Sequence, residues 1–285
     1  MDTIILQALE NIRCGFLDVF FSIITVLGEE ITVAGVIAVI FMCFNKEVGE
    51  RALISVLSAS CVTTAVKSAV RRPRPFTEEA GPVVGKVDNF LTKGLNEDMS
   101  FPSGHATASS AFFASLSIRF RKAYVIAPCA VMTLLVVLSR LYLGVHYPTD
   151  VLAGLAVGIG MAFIWQIVYH GFYAQRLYIY LIFAALTLIL LFIPATQSES
   201  MFKISALTLA TAVGLILEEK FIRFENTDKW WKRGVRLALM ALMAAIPYLL
   251  LSLLPEYLWF KFLQYFLTVL VAMTATPFLI KLFHI

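Results

Sequence analysis

Charged residues are scarce in this chain. Only 15% of its 285 residues are charged, whereas a soluble domain of this length carries about a quarter. Hydrophobic residues make up 60% of the sequence, and the mean hydropathy is +0.83. This composition excludes an ordinary soluble domain, and we interpret the chain as an integral membrane protein.

Features that would indicate other classes of protein are also missing. The four cysteines, at positions 14, 43, 61 and 129, form no CxxC pair, and each adjoins an apolar segment. We expect buried, small apolar side chains there and no zinc or iron–sulfur site. The basic residues are scattered among loops without a stripe of stacking aromatics, which argues against a nucleic-acid partner. The N-terminus lacks the basic start and cleavage site of a signal peptide.

Apolar segments of membrane-spanning length are what the chain has in abundance. A helix needs about 20 apolar residues to cross a bilayer, so the chain has room for roughly nine or ten spans. These segments are too long for barrel strands, and only helices otherwise satisfy their backbone hydrogen bonds in lipid. We therefore predict an all-α, polytopic transmembrane helix bundle.

Two parts of the chain do not fit a simple span. Residues 1–11 are amphipathic and are predicted to lie on the membrane surface, whereas residues 14–27 are apolar but short and are interrupted by Asp18. The second segment either spans the membrane or lies at its surface. Residues 71–100 form the longest polar stretch, with three prolines, and are too long for a bare connector. We expect this stretch to cover or gate something.

Three cations lie at the ends of apolar segments on one predicted membrane face. They are Lys67, Arg74 and Arg140. A single such cation would be explained by its side chain reaching the lipid headgroups. Three of them beside two histidines indicate a polyanionic ligand, for which phosphate is the natural candidate. Ser103 and Gly104 support this interpretation, because glycine lets a ligand approach the backbone and the first N–H groups of the following helix can bind phosphate oxygens.

The two histidines, His105 and His146, are separated by roughly forty residues, enough for one helix down and another back to the same face. At a phosphate, a histidine can attack phosphorus or protonate the leaving oxygen. Asp150, four residues after His146, can accept a hydrogen bond from the imidazole and orient it, as in a catalytic triad. We predict that His146 is the nucleophile, Asp150 its orienting group and His105 the acid.

These residues fall in three motifs, KSAVRRPRP (67–75), PSGH (102–105) and SRLYLGVHYPTD (139–150). Together they resemble the three signature motifs of the type 2 phosphatidic acid phosphatase family, which is similar to vanadium haloperoxidases and glucose-6-phosphatase. No motif position departs from the family pattern. The resemblance implies a metal-independent, cofactor-free hydrolase of phosphomonoesters or diphosphates with a phosphohistidine intermediate. It also implies that the phosphate is held by Lys67, Arg74, Ser103, Gly104 and Arg140.

The resemblance covers residues 1–172, for which it implies a six-helix phosphatase core. Residues 173–285 are predicted to add about four transmembrane helices that have no counterpart in minimal members of the family. This extension is an accessory module, a surface for homo-oligomer formation or a wall that shapes the substrate site; the sequence leaves the three open.

The predicted function is hydrolysis of a lipid phosphate or diphosphate. Candidate substrates are phosphatidic acid, phosphatidylglycerophosphate and undecaprenyl diphosphate, and membrane lipids are the expected surroundings. The alternatives are a sugar-phosphate phosphatase and a lipid transporter with a vestigial phosphatase site. A transporter more often places ionisable groups in mid-membrane on broken helices, and here they gather at one face. When the three cations assigned to phosphate are set aside, basic residues favour the turns of the opposite face by about two to one, so the site is predicted to face away from the cytoplasm.

Overall fold

The computed structural model describes residues 2–77, 83–87, 99–193 and 198–285, and these residues form helices and connecting turns without a strand. The predicted all-α fold is confirmed. Within the long polar stretch of residues 71–100, residues 78–82 and 88–98 lie outside the described residues. The prediction that this stretch covers or gates something therefore falls mainly on residues that the structure does not describe. The helices are α1 (Asp2–Asn11), α2 (Gly15–Leu27), α3 (Glu30–Val39), α4 (Lys46–Val70), α5 (Gly104–Phe120), α6 (Ala123–Tyr142), α7 (Pro148–Phe172), α8 (Arg176–Phe192), α9 (Glu199–Leu217), α10 (Trp230–Leu251) and α11 (Leu258–Leu282).

Six helical stretches of the described chain are long and apolar enough to cross a membrane, and a bent pair, α2 with α3 and its extension to Phe44, would make seven. This is fewer than the nine or ten spans predicted, because α5 has only 17 residues and α7 and α8 form one stretch, Pro148–Phe192. The chain is an integral membrane protein. Four helices, α8 to α11, follow residue 173, as predicted.

Polar residues cap the beginnings of α4 and α5, and α4 starts earlier than hydropathy indicates. Asn45 accepts a hydrogen bond from the Val48 N–H at 3.0 Å, so α4 starts at Lys46 rather than at the apolar Ala52. Ser103 caps α5 through the Ala106 N–H, and α5 ends at Arg121 in the left-handed conformation. The cap on α5 fixes the direction in which its first N–H groups point.

The segment of residues 14–27 packs along the C-terminal part of α6. Before α2, Arg13 donates to the Tyr142 carbonyl at 3.0 Å, and within α2 the ring of Phe21 lies 4.5 Å from that of Tyr142. Farther along α2, Thr25 accepts from Arg140, and Gly28 lies against Val136. Both alternatives for this segment, a membrane span and a surface helix, stay predictions.

Two glycines let α7 lie against α5. A Cβ at Gly154 would stand 2.7 Å from the Ser103 carbonyl, and one at Gly158 would stand 2.5 Å from the Thr107 carbonyl. Small residues four apart permit this close backbone approach between membrane helices. The Ser103 N–H then donates to the Asp150 carbonyl at 3.0 Å, which joins the beginnings of α5 and α7.

The chain divides into two compact units. The first contains residues 1–35 and 52–167, and the second contains residues 36–51 and 168–285. The sequence-based division placed 36–51 with the phosphatase core, but in the structure this segment groups with the C-terminal helices. Asn226 accepts from the Lys46 N–H at 3.0 Å, Lys46 pairs with Glu218, and Glu50 accepts from the hydroxyls of Tyr169 and Tyr180.

The four cysteines are free thiols. Cys43, Cys61 and Cys129 are buried, as predicted for small apolar side chains, whereas Cys14 is exposed. Its position immediately before the first turn of α2 explains the difference, because that residue lies outside the packed helices.

Candidate active site

All eight predicted site residues lie in the first unit, most of them at helix ends. Lys67 is in the last turn of α4, Arg140 in the last turn of α6, and Asp150 in the first turn of α7. The positive charges of Lys67, Arg74 and Arg140 all act on both His105 and His146. The fold thus brings the three sequence motifs together.

His146 is buried in the turn between α6 and α7. Its Nδ1 donates to the Ser100 carbonyl at 2.9 Å, so the lone pair of the neutral ring is on Nε2, which faces the donor Nη1 of Arg74 at 3.4 Å. Burial lowers the pKa of His146 well below its ordinary value, and the positive charges of Arg74, Arg140 and Lys67 lower it further. The ring is therefore neutral near pH 7, with Nε2 available as a nucleophile.

The sequence predicted that Asp150 accepts a hydrogen bond from His146, but in the structure the two side chains are not directly bonded. Its Oδ2 is 3.6 Å from the His146 Nδ1, longer than a normal hydrogen bond. The same oxygen accepts from the Tyr147 N–H at 2.9 Å and from the Ser100 hydroxyl, and Oδ1 accepts from Arg72 at 2.7 Å. Asp150 therefore fixes Ser100, and the Ser100 carbonyl orients the imidazole.

Arg72 is a site residue that the sequence interpretation missed. It also donates to the Thr149 hydroxyl at 2.7 Å, and its guanidinium lies 3.9 Å from the centre of the Tyr147 ring. Its neighbour Arg71 instead donates to the Ser68 carbonyl, at the exposed end of α4. The motif contains three arginines within four residues, and the sequence alone does not indicate which of them holds Asp150.

Arg140 is only 1% exposed and is held by a single side chain. Its Nη1 donates to the Thr25 hydroxyl at 2.6 Å. Its Nε and Nη2 are buried and have no hydrogen-bond partner among the residues that the structure describes. A buried guanidinium with two unused N–H groups is suited to an anion that accepts from both.

The start of α5 contributes backbone donors. Ser103 is buried, and its hydroxyl caps the helix, so the N–H groups of Gly104 and His105 are left without partners within the described chain. A Cβ at Gly104 would meet only a Glu30 carboxylate oxygen, at 3.5 Å, which is ordinary contact. Packing within the protein therefore does not require the glycine. Close approach of a ligand to the backbone would require it.

These groups together can hold a phosphate and attack it. Three cations and two backbone N–H groups supply positive charge and donors, one neutral histidine supplies a nucleophile, and a second histidine lies close enough for electrostatic contact with the first. Ser100 and Thr25 each position one of these groups. Neither carried a sequence signal, since Ser100 acts through its backbone and Thr25 lies in an apolar run.

The chain matches known families over most of its length. Residues 51–176 match the PAP2 superfamily, and residues 202–285 match the transmembrane extension of PAP2 superfamily phosphatases. The lipid A 1-phosphatase of Rhizobium johnstonii is 32% identical over 127 residues, which are 43% of this chain and 48% of that protein. The chain thus spans about half the length of that relative.

Two further relatives are bacterial phosphatases. The undecaprenyl-diphosphatase BcrC of Bacillus subtilis is 40% identical over 33% of this chain and 46% of its own length. The putative undecaprenyl-diphosphatase YbjG of Escherichia coli is 30% identical over 162 residues, which are 54% of this chain and 77% of that protein. With a relative covered to this extent and both parts of the chain matched by the same family, the protein belongs to the PAP2 superfamily.

Proposed function

We propose that this protein is a membrane phosphatase that hydrolyses a lipid phosphate or lipid diphosphate through a phosphohistidine intermediate. The observation that carries the proposal is the buried guanidinium of Arg140, with two N–H groups that no described residue accepts. A buried cation without a partner is costly, and a phosphate beside His146 would both neutralise and hydrogen-bond it. The family and its named relatives support this class of substrate.

In the proposed mechanism, Nε2 of His146 attacks phosphorus while the bond from phosphorus to the leaving oxygen breaks. The electron pair goes to the leaving oxygen, and His105, protonated in the substrate complex, gives it a proton. Burial and the charges of Arg140, Lys67 and Arg74 lower the pKa of His105, and the negative charge of a bound phosphate opposes this effect, so that His105 takes up its proton when the substrate binds. Water then attacks the phosphohistidine, the phosphorus–nitrogen bond breaks, and Nε2 recovers its electron pair. His105 takes the proton of that water. Throughout, the Ser100 carbonyl keeps the proton on Nδ1, which leaves Nε2 free at the start of each cycle.

The chemistry is proposed to be metal-independent. The charges of Lys67, Arg74 and Arg140, with the N–H groups at the start of α5, neutralise the phosphate without a cation. Among the described residues, no three His, Cys, Asp or Glu side chains group closely enough to hold a metal ion. A hydrolase of this kind should keep its activity in a chelator.

We further propose that the site faces away from the cytoplasm. Within the second unit, the turn at residues 40–46 lies beside the turn at residues 218–229, as shown by the Asn226 hydrogen bond to the Phe41 carbonyl at 3.1 Å. Residues 218–236 contain six lysines and arginines, and the adjacent Lys46 and the distant Lys67 are at opposite ends of α4, a candidate span. This number of basic residues favours a cytoplasmic location for these turns and so supports a site on the other side.

The test is phosphate release by purified protein from undecaprenyl diphosphate, lipid A, phosphatidic acid, phosphatidylglycerophosphate and glucose 6-phosphate, each with and without EDTA. We expect release from at least one lipid, unchanged by EDTA, little release from glucose 6-phosphate, and loss of release in Arg140→Gln. A radiolabelled lipid substrate should leave acid-labile label on the wild-type protein, as a phosphohistidine does. Folded protein that transports a lipid phosphate in vesicles but releases no phosphate would contradict the proposal and support the transporter alternative.

A further inference from the structure

A polar cavity lies in the second unit, and none of its lining residues belongs to the phosphatase site. Its volume is about 400 Å³, within the range of small-ligand sites. Its lining includes four cations, Arg223, Lys232, Arg236 and Lys281. All of its lining residues belong to the second unit, and no step of the proposed phosphatase mechanism uses them.

The cavity lies where three candidate spans end. The stretch from Glu199 ends at Ile222, α10 begins at Trp230, and α11 ends at Leu282. Trp230 and Trp231 are 82% and 59% exposed, and tryptophans are enriched where membrane helices meet water. These features place the cavity at the level of the lipid headgroups.

The four lining cations outnumber the lining carboxylates, since Glu225 is the one Asp or Glu residue among the residues that line the cavity. Arg236 donates to the carbonyls of Met42 and Glu225, at 2.9 and 2.8 Å, and to the main-chain oxygen of Ile285 at 2.7 Å. Lys232 and Lys281 donate to other backbone carbonyls. None of the four lining cations forms an ion pair with an Asp or Glu side chain of the described chain, although the nearby Arg233 pairs with Asp228. Neutral carbonyls orient Lys232 and Lys281 but leave the positive charge of these two side chains uncompensated.

We propose that this cavity binds a phosphate-bearing anion. Basic pockets between the ends of membrane helices hold anionic headgroups, and clustered lysine and arginine side chains are what a phosphate needs. The anion is either the headgroup of an anionic phospholipid or a soluble phosphate compound, since both present the same oxygens. This site is independent of the phosphatase site and stands whether or not that assignment is correct.

The test is native mass spectrometry of the full chain in detergent, titrated with phosphatidylglycerol and, separately, with phosphatidylcholine. The test variant is the Lys232→Gln, Lys281→Gln pair, which removes two lining charges. The matched control is Lys220→Gln with Lys229→Gln, which removes the same charge from the same basic turn outside the cavity. Each lost charged hydrogen bond should weaken binding about tenfold or more, so the test pair should lose phosphatidylglycerol and the control should keep it.

Addition of millimolar inorganic phosphate distinguishes the two sources. If phosphate displaces phosphatidylglycerol from the wild-type protein, the site takes soluble phosphates; if it does not, the site takes lipid headgroups. Equal binding of the two lipids, or equal loss in the test and control pairs, would overturn the proposal. If the test pair does not purify as a folded protein, Lys232→Gln alone is compared with Lys229→Gln by the same measure.

Discussion

Replacement of Thr25 by valine should impair catalysis although Thr25 is far from the motifs in sequence. Thr25 is 3% exposed, and its hydroxyl oxygen accepts a hydrogen bond from Nη1 of Arg140 at 2.6 Å. Valine has nearly the same shape but no acceptor. The guanidinium of Thr25→Val would lose its one side-chain hydrogen bond and turn away from the position in which its other N–H groups meet a phosphate.

The size of the effect follows from the bond that is lost. A buried hydrogen bond to a charged group contributes about 1.5–3 kcal/mol. If all of that energy serves to hold Arg140 against the transition state, kcat/KM falls by about 10- to 150-fold. Thr25→Ser keeps the hydroxyl and should stay close to the wild type. Thr133→Val in α6 makes the same chemical change at a threonine that bonds only its own helix, to the Cys129 carbonyl, and serves as the matched control.

The assay is phosphate release from the best lipid of the panel, together with inhibition by vanadate as a phosphate mimic and thermal melting in detergent. In Thr25→Val, weaker vanadate inhibition should accompany the fall in kcat/KM, because both depend on the orientation of Arg140. Wild-type kcat/KM in Thr25→Val would refute the reasoning. Equal losses of kcat/KM in Thr25→Val and Thr25→Ser would also refute it. The same holds if the loss of kcat/KM only parallels a fall in melting temperature across all variants.

The remaining predictions concern the nucleophile, pH and orientation. His146→Ala should abolish activity, whereas Asp150→Asn should leave measurable activity, because the Ser100 carbonyl still holds the ring; wild-type turnover by purified His146→Ala would refute the assignment. Because burial and the charges of Arg74, Arg140 and Lys67 lower the His146 pKa, the loss of kcat/KM through protonation of His146 should begin only below about pH 6.5. Arg74→Gln removes one of those charges, so its kcat/KM, although lower, should fall on the acid side at a higher pH than that of the wild type. A shift of this fall to lower pH would contradict this account. In a cysteine-free background, an impermeant maleimide applied to intact cells should label Lys86→Cys and not Asp228→Cys, and the reverse pattern would overturn the orientation.

The sequence predicted the residue types of the site better than their connections. The three cations and two histidines were identifiable because charged groups beside apolar segments are rare and costly. The group that accepts the hydrogen bond of the His146 Nδ1 could not be identified from the sequence, because a backbone carbonyl has no sequence signature. Asp150 was expected to fill that role from its spacing of four residues, but its oxygens are already used by Ser100, Tyr147 and Arg72.

The fold shows the same difference between local and tertiary information. Hydropathy predicted where most helices lie, but the polar cap at Asn45 extended α4 beyond its apolar run. The packing of α2 along α6 depends on tertiary contacts through Arg13 and Thr25, which no local pattern encodes. The grouping of residues 36–51 with the C-terminal helices likewise rests on long-range pairs such as Lys46 with Glu218.

The way four helix ends meet explains why the site suits a phosphate at a membrane surface. The first turns of α5 and α7 present the positive ends of their helix dipoles, and the close packing at Gly154 and Gly158 holds these two ends together. The last turns of α4 and α6 would present negative ends, but they carry Lys67 and Arg140, whose full charges exceed the half-charge of a helix end. Arg74 adds a further cation, and the negative charge of Asp150 is paired with Arg72. Positive charge therefore dominates the surroundings of His146, which is what an anionic phosphate group requires.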